Sequence, residues 1–292
     1  MPQLLRDDHG FTTVRDPFAS DDHVRAHFRE LPYSEHDTGF FKDSVKRYSV
    51  LRYILSELKR LNNGAPTPII DVGVYQGRFT IASYLIAKKH QMPLSLRAVE
   101  ALEKLISPIE QNFDLYGVEG VTLTCAALSE LDGQSLKIGS RRGGLIASTL
   151  VAPEEKAGAD GEVAIVRSIT LASLMRELQD HALVKIDIEG NEAAAFRGAF
   201  AERRILENNL FIIEWAPWQC DQKLSGTGTF GEFVLQNFAV YPLGNWACTH
   251  AQPLATKLDD LRNCLQDGRS FNTDLLLIPK KLASVFEGLP QI

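Results

Sequence analysis

The sequence predicts a doubly wound α/β domain, a mostly parallel sheet with helices on both faces. Two observations lead there. Short stretches that are apolar throughout, such as residues 183–186, alternate with segments of helical spacing. Strands covered on both faces by crossover helices read in this way. Glycine-bearing turns also follow the apolar runs, the sharpest being "IIDVGVYQGRF" at residues 69–79. With 292 residues, 45% of them hydrophobic and 23% charged, the chain can hold one large domain with extensions.

Taken in order, residues 1 to about 40 carry mixed charge, Pro and His with little periodicity and read as an arm or irregular cap. Phe41, Val45, Tyr48, Leu51, Ile54, Leu55 and Leu58 then recur at helical spacing and predict an amphipathic helix over 41–61. Asn62-Asn63-Gly64 ends it. Residues 1–65 are thus assigned to an N-terminal arm and cap helix, and 66–292 to the main domain. Strands are expected at 69–73, 96–100, 121–128, 183–188 and 211–215, and helices at 79–89, about 105–115, and 193–200. Between 129 and 170 the rhythm fails. Short strands at 135–138 and 163–169 predict an insertion carrying a β-hairpin. Residues 238–243 and 274–279 are expected to close the sheet as an antiparallel pair, linked by 244–270.

Composition excludes several classes. A formal net charge of −6 with no basic stripe argues against nucleic acid as a partner. No run approaches the ~20 apolar residues of a membrane span. The start, MPQLLRDDHGF, is polar and acidic rather than basic and then apolar, so a cytoplasmic protein is expected. Cys125, Cys220, Cys248 and Cys264 are scattered without a C-x-x-C pair, which favours neither a zinc cage nor a disulfide framework.

In doubly wound sheets, ligands bind outside the carboxyl ends of the strands, where the strand order reverses. Here those ends are acidic. The first carries Asp71, Gly73 and Gly77, the second Glu100, the fourth Asp187, Glu189 and Gly190, and the fifth Glu214 before Trp215. A dinucleotide loop would place glycines where Tyr75 and Arg78 stand, so a pyrophosphate is a poor fit. Acidic groups instead suit a ligand with hydroxyls and positive charge. S-adenosylmethionine (SAM) is one, with a ribose diol, an ammonium and a sulfonium but no phosphate.

The segments "DVGVYQGRF", "AVEALEKLISPIEQNF", "AALSELDG", "VRSITLASLM" and "LVKIDIEGNEAAAFRGA", in that order, resemble the FkbM family of SAM-dependent methyltransferases. The resemblance covers roughly residues 66–216, with "FNTDLLLIP" a weaker echo. Its strongest element is "KIDIEGNE", which matches the family's K-[IV]-D-[IV]-E-G-x-E. Two departures stand out: Val74-Tyr75 where the family usually has Ala-Asn, and Ala101 where it has Pro. The resemblance implies a Rossmann-like sheet of the class I methyltransferase type. It implies that Asp71, Gly73 and Gly77 line the methionine side of SAM and that Glu100 takes the ribose hydroxyls. Ala126 and Ala127 would lie near the adenine, with Tyr75, Ala101 and Asp187 completing the cofactor contacts.

Lys185, Asp187 and Glu189 alternate, which places them on one face of their strand. Lys185 either neutralises Asp187 or Glu214 as a buried ion pair or joins the chemistry. O-methylation requires the acceptor hydroxyl to lose its proton as it attacks, to a carboxylate or with the help of a metal. Asp187 with Glu214 is therefore a base and its orienting partner, or a divalent-metal pair; the sequence leaves both open. The expected acceptor is a hydroxyl on a small molecule or sugar. The alternatives are a SAM-binding module without catalysis and, less in keeping with the loop, an NAD(P)-dependent oxidoreductase. Trp215 and Trp218, in "EWAPWQ", form either an apolar wall for the acceptor or ordinary packing, and His36 reads as a solvated loop histidine.

Overall fold

The computed structural model describes residues 4–6, 12–14, 42–140, 148–150, 163–178, 181–224, 228–244, 247–248, 256–262 and 273–289. His36 and residues 141–147 lie outside the described residues. Near the start, β1 (Leu4–Arg6) and β2 (Thr12–Val14) form an antiparallel pair.

The main sheet alternates with its helices as expected. Helix α1 (Lys42–Leu61) leads into β3 (Thr67–Val72), then α2 (Arg78–Lys89), β4 (Leu94–Glu100), α3 (Glu103–Leu115) and β5 (Val121–Cys125). The predicted third strand is interrupted at Ala126. Its end, β6 (Ala127–Ser129), leaves the main sheet and pairs parallel with β9 (Val163–Thr170). Between them, β7 (Ser135–Ser140) pairs antiparallel with β9, as the hairpin reading expects, and β8 (Ser148–Leu150) adds an edge.

The chain then runs through α4 (Leu171–Met175), β10 (Leu183–Ile186), α5 (Glu192–Arg197), α6 (Arg203–Asn208) and β11 (Leu210–Trp215). A 3-10 turn (Pro217–Asp221) and α7 (Phe230–Asn237) follow. Next come β12 (Phe238–Gly244), β13 (Ala247–Cys248), α8 (Leu258–Arg262) and β14 (Thr273–Pro279), and a final 3-10 segment (Lys280–Phe286). The segment read as a linker thus contains β13 and α8. As expected, β12 and β14 pair antiparallel, with Phe238 opposite Pro279.

The sheet order is β13-β12-β14-β11-β10-β3-β4-β5. The five strands from β11 to β5 run parallel. Order reverses between β3 and β10, and a crevice opens there because the two following helices leave on opposite faces.

Alternation along each strand shows why both faces are covered. Ile69, Leu183, Leu210 and Ile212 join one core with Ile54, Leu55 and Leu58 of α1, Ile81 of α2 and Ile109 of α3. Their neighbours Ile70, Val184, Phe211 and Ile213 join the other with Phe196 of α5, Ile205 of α6 and Phe230 of α7. Period two on the strands therefore meets period 3.6 on the helices twice over. Among the described residues, no helix is long and apolar enough to cross a membrane.

Candidate active site

The cleft opens at the reversal point. Asp71 and Gly73, the end of β4 at Glu100 and Ala101, Ala126 and Ala127 after β5, Lys185 in β10, and Asp187 and Glu189 after it all line it. Its volume is about 1060 Å³, open mouth included.

Asp71 is buried near the end of β3, and its Oδ2 accepts from the Thr80 backbone N–H at 3.2 Å and the Thr80 hydroxyl at 2.8 Å. It thereby caps α2 from the adjoining strand, satisfying an N–H that the first turn of a helix leaves without a partner. Its Oδ1 has no hydrogen-bond partner. Burial raises the Asp71 pKa, against the pull of the Lys185 charge and the Thr80 hydrogen bonds. Lys185 lies directly beside Asp71 in the β10–β3 register, and its Nζ is 2.6 Å from Asp187 Oδ2. Burial works against the ammonium, yet the charges of Asp187, Asp71 and Asp274 push its pKa up to about 12. Of the two partners the sequence allows Lys185, the ion pair at 2.6 Å is with Asp187.

The two glycines of the first loop differ. Gly73 lines the cleft at φ +79°, and a Cβ there would lie 1.8 Å from the Asp187 carbonyl oxygen. The space it keeps clear is thus filled by the protein's own backbone, locking the β3–α2 loop against the β10–α5 loop. Gly77 is outside the cleft lining. It precedes α2 at φ +86°, and a Cβ would meet the Phe113 ring at 2.6 Å. Between them Tyr75 is also left-handed, at φ +52°.

Glu100 is buried and bridges two segments. Oε2 accepts from the Tyr75 N–H at 3.0 Å and Oε1 from the Leu102 N–H at 2.9 Å. Burial raises its pKa while these backbone hydrogen bonds oppose the rise. The Ala101 N–H adds a third backbone hydrogen bond, and with about four lone-pair sites the carboxylate retains capacity to accept from a ligand.

At one end of the cleft, Asp187 and Glu189 meet Glu214, and the three each offer a carboxylate oxygen within 4.8 Å of the others. Glu214 is not in the cleft lining but stands opposite Asp274 in the β11–β14 register. Burial and then the charges of Asp187, Glu189, Glu192 and Asp274 raise the Glu214 pKa, so the cluster favours a retained proton or a bound cation. Three convergent carboxylate oxygens are a donor set for a hard divalent ion.

Two supporting residues escaped the sequence reading. Glu192 is fully buried, and its Oε1 accepts from the Ile188 N–H at 3.1 Å and the Gly190 N–H at 3.3 Å. Its Oε2 accepts from Gln219 Nε2 at 2.6 Å. Burial raises its pKa to about 7. Glu192 is the last letter of "KIDIEGNE", but nothing in that spacing says the side chain folds back onto its own loop. The two tryptophans also part company. Trp215 is fully buried and donates Nε1–H to the Leu261 carbonyl at 3.0 Å, so it is core packing, whereas Trp218 is 59% exposed.

A parallel sheet extended by an antiparallel pair, with an acid-rimmed cleft at its reversal point, defines a class I methyltransferase fold. The chain belongs to the FkbM methyltransferase family, whose domain model matches residues 71–239. Solved structures with a similar fold include WbdD, a bifunctional kinase-methyltransferase, at 12% identity and a TM-score of 0.38 over 88% of this chain and 46% of that one. The chain thus spans less than half the length of that protein. Others are the precorrin-6y C5,15-methyltransferase of Geobacter metallireducens (13% identity, TM-score 0.35, 73% of this chain and 84% of that one) and the plantazolicin methyltransferase BpumL in complex with a desmethyl analogue and SAH (10%, 0.36, 89% and 91%). No curated protein sequence is similar enough to match.

Proposed function

We propose that this chain is a cytoplasmic SAM-dependent enzyme that methylates a hydroxyl oxygen on a small molecule or a sugar. The observation that carries this reading is the presence of two acidic strand ends in one cleft. Glu100 stands in the lining, a buried carboxylate with acceptor capacity left for a ribose hydroxyl, and so do Asp187 and Glu189, with Glu214 grouped behind them.

The residues present fit SAM. Glu100 would accept from the ribose hydroxyls, and Ala126 and Ala127, which line the same cleft, would lie near the adenine. Asp71 Oδ1, buried without a hydrogen-bond partner, suits the positively charged methionine end. Tyr75 and Ala101, beside Glu100, would complete the cofactor contacts, and Gly73 would set the loop height. When bound, SAM supplies an electrophilic methyl carbon on a sulfonium that leaves as a neutral thioether.

The chain's own part is to hold the acceptor in line with that carbon and to take its proton. Asp187 and Glu214 are the groups proposed for this, with Lys185 fixing the position of Asp187. The convergence of Asp187, Glu189 and Glu214 favours a second reading of the same step. A divalent cation held by these three would supply Lewis acidity at the acceptor hydroxyl. Calorimetry with SAM and its demethylated product, using NAD as the control, tests the cofactor. Methyl transfer to a panel of hydroxylated acceptors tests the reaction. Binding of NAD in preference to SAM, or SAM binding without transfer to any hydroxyl, would defeat the proposal.

A further inference from the structure

An exposed aromatic side chain packs against the loop that carries Asp187 and Glu189 of the acidic cluster. Of the exposed large hydrophobic side chains among the described residues, Trp218 is the one aromatic. It sits in the 3-10 turn that follows β11, four residues after Glu214. Its six-membered ring lies against Gly190, the residue after Glu189, so closely that a Cβ at Gly190 would come within 2.5 Å of Trp218 Cη2.

This turn is fastened from both sides to the loop that bears Asp187 and Glu189. Gln219, next to Trp218, donates to Glu192 Oε2 at 2.6 Å, and its own Oε1 accepts from the Ala216 N–H at 3.3 Å. Gln222 donates to the Gly190 carbonyl at 3.2 Å. Glu192 closes the circuit by accepting from the Ile188 and Gly190 N–H groups. The backbone that carries this 59% exposed indole is therefore tied to the loop that bears Asp187 and Glu189, and the ring packs on Gly190 of that loop.

We infer that Trp218 is a specificity-determining residue of the acceptor site, on which the apolar face of a ring-shaped acceptor stacks. This deepens the methyl-transfer reading and rests on it. The indole face carries negative quadrupole density and attracts the C–H face of a saturated ring or the edge of an aromatic one. Hydroxyls on the rim of such a ring would then reach the carboxylates, which accept from O–H groups. The same carboxylates repel anions, so the acceptor is a neutral or cationic cyclic polyol: a sugar, an aminosugar or a catechol-like ring, and not a sugar phosphate. An acyclic polyol offers the hydroxyls without the face.

The test titrates the wild-type chain and Trp218→Phe with methyl glucoside, glucosamine, catechol, sorbitol and glucose 6-phosphate, with and without SAH. The difference in tryptophan emission between the two proteins isolates Trp218. The inference expects at least one of the three ring compounds to change that difference signal, and sorbitol and glucose 6-phosphate to leave it unchanged. Which ring responds separates the saturated from the aromatic source. For the ring that responds, Trp218→Ala should raise KM about ten-fold and Trp218→Phe about two-fold, with kcat little altered. No ring compound perturbing Trp218, or sorbitol doing so equally well, overturns the inference. An unchanged KM in Trp218→Ala does the same. Failure to bind SAH in the wild type counts against the cofactor reading alone, since the acceptor titration is also run without it.

Discussion

Gly73 and Asp187 touch across the floor of the cleft, backbone to backbone, so that any β-carbon at position 73 would lie 1.8 Å from the Asp187 carbonyl oxygen. The loop expected to hold SAM and the loop that carries the acidic cluster are thus one mechanical unit. Gly73→Ala places a side chain both in the left-handed region and inside a backbone atom. We expect it to cost about 2–4 kcal/mol of stability. SAM affinity and turnover should fall together, because both loops must separate. A variant with the wild-type melting temperature and intact binding would show that the contact does not couple them.

Glu100 tests the cofactor side. Its two oxygens already accept from Tyr75 and Leu102, so Glu100→Ala removes the ligand's acceptor and also releases the loop. Affinity for SAM by calorimetry should weaken by about 1–3 kcal/mol. Glu100→Gln, which retains one acceptor oxygen, should lie between. Wild-type affinity in Glu100→Ala would remove the ribose assignment.

Asp187→Asn tests the reactive side. Turnover should fall by about two orders of magnitude or more, the scale of losing a general base, while SAM affinity changes much less. The substitution also leaves Lys185, buried and 2.6 Å from the lost charge, poorly compensated. The double variant Lys185→Met/Asp187→Asn should recover thermal stability but not activity. Recovery of both would demote Asp187 to an ion-pair partner.

Chelation separates the proton from the cation at Asp187, Glu189 and Glu214. If a divalent ion is held there, dialysis against EDTA abolishes turnover and Mg²⁺ or Mn²⁺ restores it. Under the carboxylate-base reading, activity persists through chelation, and Glu214→Gln lowers kcat without creating a metal requirement.

Glu192 makes stability depend on pH. Its pKa is raised by burial to about 7 from an ordinary 4.5, so the folded chain holds a proton that the unfolded chain has already released. The stability tied to that proton is fully present below about 4.5 and is lost as pH rises through about 7. Glu214 is shifted in the same direction. Glu192→Gln should be less stable than wild type at pH 5 but should decline less between pH 5 and pH 8. Parallel melting curves for the two proteins across that range would rule Glu192 out as the source.

Much of the scaffold was readable because it rests on local periodicity. Ile69 and Ile70 point to opposite faces and enter different cores, as an apolar run flanked by helices requires. The end of the third strand was misread for a related reason. Residues 121–128 are continuous in propensity, and nothing local reports that Ala126 donates its N–H to Glu100 and redirects the chain to a second sheet. Trp215 and Trp218 are the same residue type three positions apart, and only the packing of α7 and α8 decides that one is buried.

By itself, the sequence determined the main parallel strands and the helices between the first of them, the acidic residues at the strand ends and the family, since each depends on residue type at short spacing. The tertiary structure alone decided which of those acids meet. Glu100 turned out to be tied to Tyr75, Lys185 to Asp187, and Glu192 to Gln219, 27 positions away. It also decided that Gly73 yields to protein backbone and Gly77 to the Phe113 ring. The physical reason is that hydrogen bonds and close contacts act over a few ångströms in space. Separation along the chain carries no information about them until the sheet has brought the ends of β3, β4, β10 and β11 together.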